Sequence, residues 1–221
     1  MRIAIAGKMA SGKTTLAKYI ESKYGCTRMA IADKLKEIAT LHAEEMLNKP
    51  EELAKGLTAH VVDLLPEADV ITFGRAIATL AGIFYTCETV SGKNRNLLQR
   101  IGHDMHLFGD DIWITYLIEN RLPGVDDVVI DDVRYPVELD LLRQEGFVLV
   151  RIEVSPNEQS RRLHNLYGYV DEKELNHPSE TLLDEARYTI VIESTADKGI
   201  DAMCREFDEA YENLLKLGGA A

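Results

Sequence analysis

Residues 7–14 read Gly-Lys-Met-Ala-Ser-Gly-Lys-Thr, directly behind the apolar run Arg2-Ile3-Ala4-Ile5-Ala6 and directly ahead of the helix-like stretch Lys13 to Tyr24. The order strand, glycine turn, helix constrains the fold more than any other feature, because a Gly-x4-Gly-Lys-Thr loop in that context builds a phosphate cradle on a parallel sheet. Gly7 ends the strand in a sharp turn, and Gly12 lets the backbone approach a phosphate with no side chain intruding. The N–H groups of Ala10, Ser11, Gly12, Lys13 and Thr14, with Thr15 behind them, can converge on a polyphosphate where the helix dipole adds positive potential. Lys13 is spaced to reach the β- and γ-phosphates and the Thr14 hydroxyl to ligate Mg²⁺. A chance glycine-rich turn is the competing reading; the strand before it and the helix after it argue against that. A second Gly-Lys pair, Ser91-Gly92-Lys93-Asn94, lacks both the upstream glycine and the hydroxyl and reads as an ordinary loop.

Beyond the first helix, apolar residues near Arg28 to Ala32 read as a second extended segment, and Asp33 to Leu47 as a long helix through Leu35, Ile38, Ala39, Leu41, His42 and Met46. Glu51 to Leu65 and Ile71 to Tyr85 add further helices after Pro50. Asn94 to Phe108 carries Leu97, Leu98, Ile101, Met105 and Phe108 on helical spacing, and a helix from Asp111 to Arg121 is expected with Asp110 or Asp111 as its cap. Val128-Val129-Ile130 is a short apolar strand of the kind buried on both faces of a parallel sheet, running into Asp131-Asp132. A helix from Pro136 to Glu145 ends at Gly146; strands at Phe147 to Val154 and Tyr188 to Ile192 flank a helix from Pro156 to Asn165. Lys198 to Leu217 closes the chain as an amphipathic helix, ahead of a tail, Gly218 to Ala221, expected to be disordered. The alternation predicts an α/β fold: a doubly wound parallel sheet of about five strands in one domain over 1–221, with a helical insertion at 48–125. Ligands in such a sheet bind beyond the carboxyl ends of the strands, where Gly7 and Asp131-Asp132 both fall.

The net charge of -12, with 37 acidic against 25 basic residues, argues against a broad nucleic-acid-binding face. It leaves room for a local anion site, so a small phosphate compound is expected rather than a polymer. Cys26, Cys87 and Cys204 are far apart and in no C-x-x-C pattern, which reads as reduced thiols in a cytoplasmic protein. No segment reads as long and apolar enough to anchor in a membrane, and with a strand expected from Arg2 no cleavable signal is expected. Oligomeric state is left open, a homodimer included.

An acidic residue at a strand end is the usual partner of Mg²⁺ in phosphate-loop proteins, which makes Asp131 and Asp132 metal candidates beside Thr14. The two point to opposite faces if the strand continues, so one faces the metal and the other a solvated turn. Arg134, on the face of Asp132, can contact a phosphate or pair with an acid. His103 and His106 share a helical face but have no third ligand at metal-binding spacing.

Together these residues resemble the phage-type deoxynucleoside monophosphate kinases, a branch of the P-loop nucleotide kinases. The resemblance rests on Gly7 to Thr14, Asp33-Lys34-Leu35-Lys36, Leu97-Leu98-Gln99-Arg100-Ile101-Gly102 with Trp113, Asp132-Val133-Arg134-Tyr135-Pro136-x-Glu138, and His177-Pro178-Ser179-Glu180, in that order over most of the chain. It implies a P-loop kinase fold whose helical insertion binds an acceptor and whose short lid covers 160–182. It implies transfer of the γ-phosphoryl of ATP, with Mg²⁺, to a nucleoside or deoxynucleoside monophosphate. Lys13, Asp132, Arg134 and the lid arginines Arg161 and Arg162 are then the catalytic candidates, and Asp33, Lys36, Arg75, Arg95 and Gln99 the acceptor-binding ones. Lys34 replaces the family's proline, and no arginine follows Gly102 where relatives often carry one; Arg75 is the candidate substitute. Glu193-Ser194-Thr195-Ala196 is a candidate adenine contact by fold analogy. Competing readings are a P-loop kinase for another small acceptor, such as dephospho-coenzyme A, and an ATP-binding switch or assembly factor.

Overall fold

The computed structural model describes residues 1–90, 92, 94–168, 181–196 and 199–218. The chain divides into two compact units, Met1–Ala30 with Gly124–Ala221, and Ile31–Pro123. The helical unit thus takes in Asp33 to Leu47 as well as the insertion expected from residue 48.

The first unit is built on five parallel strands, β1 (Arg2–Gly7), β2 (Thr27–Met29), β3 (Val128–Val133), β4 (Val148–Glu153) and β5 (Ile190–Glu193), in the order β2-β3-β1-β4-β5. Parallel strands need helical crossovers, so β1, β3 and β4 are buried on both faces and read as near-continuous apolar runs. Because β3 lies directly beside β1, the end of the strand carrying Asp131 and Asp132 meets the end carrying Gly7. The pairing of these two strands slips there: Ala4 lies opposite Ile130 but Ala6 opposite Val133. This bulge at Asp131-Asp132 interrupts the simple alternation expected from the sequence and re-aims both acids.

Helix α1 (Lys13–Tyr24) and the last helix, α10 (Gly199–Lys216), pack together on the sheet, burying Leu16, Ile20, Met203 and Phe207 against Ile3, Ile5, Val150 and Ile192. Burying a side chain of this size contributes about 1.5–3 kcal/mol. Asp208 of α10 ties the pair by accepting from Tyr19, from Lys23 at 2.6 Å and from Tyr24 at 2.7 Å of α1. Burial and Asp208 push the Tyr24 hydroxyl up to about 12. Helices α8 (Pro136–Gln144) and α9 (Pro156–Tyr167) complete the described part of this unit.

The second unit comprises α2 (Asp33–Ala39), α3 (Glu44–Leu47), α4 (Pro50–Leu64), α5 (Val70–Thr86), α6 (Arg95–Asp104), a 3₁₀ turn at Met105–Phe108 and α7 (Ile112–Asn120). Helix α4 packs on α5, α5 on α6, and α2 on α6 and α7. The single helix expected over Asp33 to Leu47 is broken. After Ala39 the amides of Leu41 and His42 bond three residues back, and the Thr40 hydroxyl donates to Glu37 O at 2.6 Å. The buried His42 ring then pairs with Phe84 O at 3.1 Å and sits edge-on to the Phe84 ring, a tertiary bond that a continuous helix does not provide. Asp69 caps α5, accepting from Ile71 and Thr72 N–H at 2.8 and 2.9 Å; Asp111 opens α7 without a side-chain bond. Strand β2 is shorter than expected and β5 lies one to two residues later. Among the described residues no helix is long and apolar enough to cross a membrane.

Candidate active site

Between β1 and α1 the loop over residues 7–14 takes a shape its glycines dictate. A Cβ on Gly7, at φ +154°, would stand 2.7 Å from both Ile152 O and Ser11 Oγ, so no other residue fits without displacing backbone. Ala10, at φ 59°, is the one non-glycine with positive φ among the described residues, a conformation costing on the order of 1 kcal/mol. Lys13 folds over the loop and donates from Nζ to Gly7 O at 2.6 Å and Lys8 O at 2.9 Å. Gly12 opens α1 with no side-chain cap, and the first turn, Lys13-Thr14-Thr15, contains no acid. The positive end of the helix is therefore not neutralised by its own side chains, and Thr15 is half-buried behind it.

Asp131, 5% exposed, is held from two sides. The Thr14 hydroxyl donates to Oδ2 at 2.7 Å, and Arg28 of β2 donates through Nε to Oδ1 at 3.1 Å and through Nη2 to Oδ2 at 2.9 Å. A bidentate arginine fixes the plane of the carboxylate as well as offsetting its charge. Sequence reading missed Arg28; an arginine near the end of a strand that neighbours the acid-bearing one was its only signal. Asp132 is half-buried in the bulge, and Arg134 is exposed just beyond it. The turn carrying Arg134 is pinned by Glu138, 6% exposed, whose Oε2 accepts from Arg134 N–H at 2.6 Å and Tyr135 N–H at 2.9 Å. Burial pushes the Glu138 carboxyl up to about 7, against those two amides, with Asp132 adding to the rise.

Thr14, Asp131 and Asp132 are hard oxygen donors of the kind that could hold Mg²⁺, and the Thr14 hydroxyl lies 2.7 Å from Asp131 Oδ2. Among the described residues no group of three or more His, Cys, Asp and Glu side chains could hold a metal ion by itself. His103 is exposed and paired with Asp104 at 3.0 Å.

Helix α9 bears on the same loop. Gln159 Nε2 donates to Met9 O at 3.0 Å, and Arg162 Nη1 donates to Ala10 O at 3.2 Å, Ser11 O at 3.3 Å and Ser194 Oγ at 2.9 Å. Glu158 accepts from Arg162 Nε at 2.6 Å and bidentately from Arg161 at 2.7 Å, and the two guanidiniums hold its carboxyl down to about 2. Arg162 is 21% exposed and Arg161 56%. The arginine expected on a lid is thus fastened to the phosphate loop at Arg162, while Arg161 retains an open face. Ser194, considered as an adenine contact, is buried on Arg162. Lys8 pairs with Asp184 at 3.1 Å, and the buried Arg151 of β4 pairs with the same carboxylate. The His177–Glu180 motif, with the rest of 169–180 of the expected lid, lies outside the described residues.

The acceptor candidates belong to the helical unit. Asp33 and Lys36 pair with one another at 2.8 Å on α2. Arg75 stands exposed on α5, and Arg95 and Gln99 stand exposed one turn apart on α6. Arg100 turns to Thr86 Oγ1 at 2.7 Å and Cys87 Sγ at 3.3 Å. Lys34 is 3% exposed: it pairs with Asp63 of α4 at 2.6 Å and lies 4.7 Å from the centre of the Tyr116 ring of α7. Its charge binds three helices together.

No family model matches the chain. Among solved structures it is similar to TT1252 from Thermus thermophilus, at 20% identity over 96% of each chain and a TM-score of 0.48.

Proposed function

We propose that the chain is an ATP- and Mg²⁺-dependent nucleoside or deoxynucleoside monophosphate kinase, allied to the phage-type enzymes whose motifs it resembles. The observation that carries this reading is the 2.7 Å bond from Thr14 to Asp131, which links the phosphate loop of β1 to the acid of the neighbouring strand. That pairing is what phosphate-loop enzymes use to set a divalent cation against a triphosphate.

In the reaction an oxygen of the acceptor's phosphate attacks Pγ, the bond from Pγ to the β–γ bridging oxygen breaks, and ADP leaves with that oxygen. Little covalent work falls to the protein, so its residues position groups and offset charge. Loop amides of Ala10 to Thr14 bind the β- and γ-phosphates, and Lys13 exchanges the neutral carbonyls of Gly7 and Lys8 for charged phosphate oxygens, the stronger partners. Thr14, with Asp131 and Asp132 behind it, would hold Mg²⁺, whose charge offsets that of the phosphates. Arg134 and Arg161 supply charge to the transferring group. Asp33, Lys36, Arg75 and Arg95 are assigned to the acceptor's sugar and phosphate, and Gln99 to a base edge.

The test is ADP formation with and without a panel of nucleoside and deoxynucleoside monophosphates, dephospho-coenzyme A included. Turnover that depends strongly on one or a few monophosphates supports the assignment. Slow turnover indifferent to every acceptor points to a nucleotide switch and contradicts it.

A further inference from the structure

In the phosphate loop it is the carbonyls that the surrounding fold holds. Gln159 takes Met9 O, Arg162 takes Ala10 O and Ser11 O, and Lys13 takes Gly7 O and Lys8 O. A trans peptide is planar, with the C=O of one residue antiparallel to the N–H of the next. Fastening the carbonyls of Met9 and Ser11 on one side therefore aims the N–H groups of Ala10 and Gly12 toward the other, while the Ser11 N–H is held within the turn by Lys8 O at 3.2 Å. The restraint falls on the stretch that resists it most, because Ala10 holds a left-handed φ of 59° without being glycine.

Arg162 is itself locked. Glu158 accepts its Nε at 2.6 Å, and Ser194 accepts from it through Oγ at 2.9 Å and through the main-chain oxygen at 3.5 Å. A planar five-donor fork can serve these acceptors and the two loop carbonyls at once, which an ammonium cannot. With Nε and Nη1 committed in this way, only Nη2, whose contact is the 3.5 Å approach to Ser194 O, is left to reach a transferring phosphoryl group.

We infer that Arg162 and Gln159, with Glu158 as the holder of Arg162, are positioning residues that set the phosphate loop for triphosphate from behind, without touching the substrate. The inference rests on the kinase reading for its ligand but separates from it in experiment. The full chain is titrated calorimetrically with inorganic tripolyphosphate and with ATP, alongside hydrogen exchange of the amides of Ala10 and Gly12. Arg162→Ala is expected to weaken both ligands about 10–100-fold and Gln159→Ala about 3–10-fold, Arg162→Lys to recover only a minor part of the loss, and loop amides to exchange faster in each. Thermal melts confirm that each variant is folded, and Gln159→Ala, which removes one bond, keeps the test open if Arg162→Ala does not fold. In Arg162→Ala at saturating ATP, the acceptor's KM should stay within about twofold of wild type.

If wild type binds neither ligand, the phosphate-site reading fails and takes this inference with it. If wild type binds and both variants bind within twofold of it, the inference alone is overturned. Intact binding and loop protection with a large fall in kcat would make Arg162 a catalytic group and overturn it as well.

Discussion

Around Gly7 to Thr14 of the α/β unit, Lys13, Thr14, Asp131 and Arg162 are each tied to loop backbone or to another charged group. In the helical unit, Arg75 and Gln99 stand exposed on α5 and α6. Thr14, Asp131 and Arg162 are set before any ligand arrives, and Lys13, already folded over the loop, has only to exchange its carbonyl partners, so little ordering entropy remains to be lost there. The second group consists of long side chains facing solvent, and each one immobilised by a ligand costs about 0.5–1.5 kcal/mol. On the proposed reading the donor side is built in advance and the acceptor side is organised by what binds to it.

The largest expected effect probes the preset side. Lys13→Ala should lower transfer by about 10²–10³-fold while thermal stability stays near wild type, because Lys13 offsets charge and packs little. A variant that kept most of its turnover would remove Lys13 from the site.

Glu138 tests whether the preset side extends to the Arg134 turn. Its folded pKa is raised from 4.5 to about 7, so the native state binds the proton more tightly than the unfolded chain. The sign follows: Glu138's contribution is most favourable below the unfolded pKa and declines as pH rises from about 4.5 through about 7, by on the order of 3 kcal/mol. Glu138→Gln keeps an oxygen for the Arg134 and Tyr135 amides but cannot ionise. Its melting temperature relative to wild type should therefore rise between pH 5 and pH 8; a pH-independent difference would show that Glu138 does not ionise in this range.

Two lysines two residues apart give a contrast inside the helical unit. Lys34→Ala removes a buried stem, an ion pair with Asp63 and a contact with Tyr116, and should cost about 1–3 kcal/mol in denaturant unfolding. Lys36→Ala breaks an exposed pair with Asp33 and should cost less than about 0.5 kcal/mol. Equal losses would mean that Lys34 does not bind α2 to its neighbours. Arg95→Ala should raise the acceptor's KM about tenfold and leave that of ATP nearly unchanged; an equal rise in both would detach Arg95 from the acceptor.

Legibility in the sequence followed the same divide. The loop, the acid-bearing strand and the alternation of strands and helices were readable because local rules govern them: glycines at tight turns, continuous apolar runs in a buried parallel sheet. Arg28 escaped because its partner Asp131 lies 103 residues away in the chain, and the bulge that turns Asp131 toward Thr14 has no local signature. Arg162 was recognised as an arginine of interest, but helical position alone does not tell a lid arginine from one bound to loop carbonyls. In the helical unit the stripe through His42 suggested one long helix, whereas the bond from His42 to Phe84 accompanies a break at Thr40. Lys34 looked like a departure from a motif, and only its contacts with α4 and α7 give it a role.

The most direct measurement is a single turnover with γ-labelled ATP and excess enzyme, quenched and resolved by product, in the presence of the preferred monophosphate. The account predicts that the label leaves ATP and appears in the nucleoside diphosphate formed from the acceptor, with inorganic phosphate a minor product. Label recovered as inorganic phosphate at the same rate with and without acceptor would contradict it.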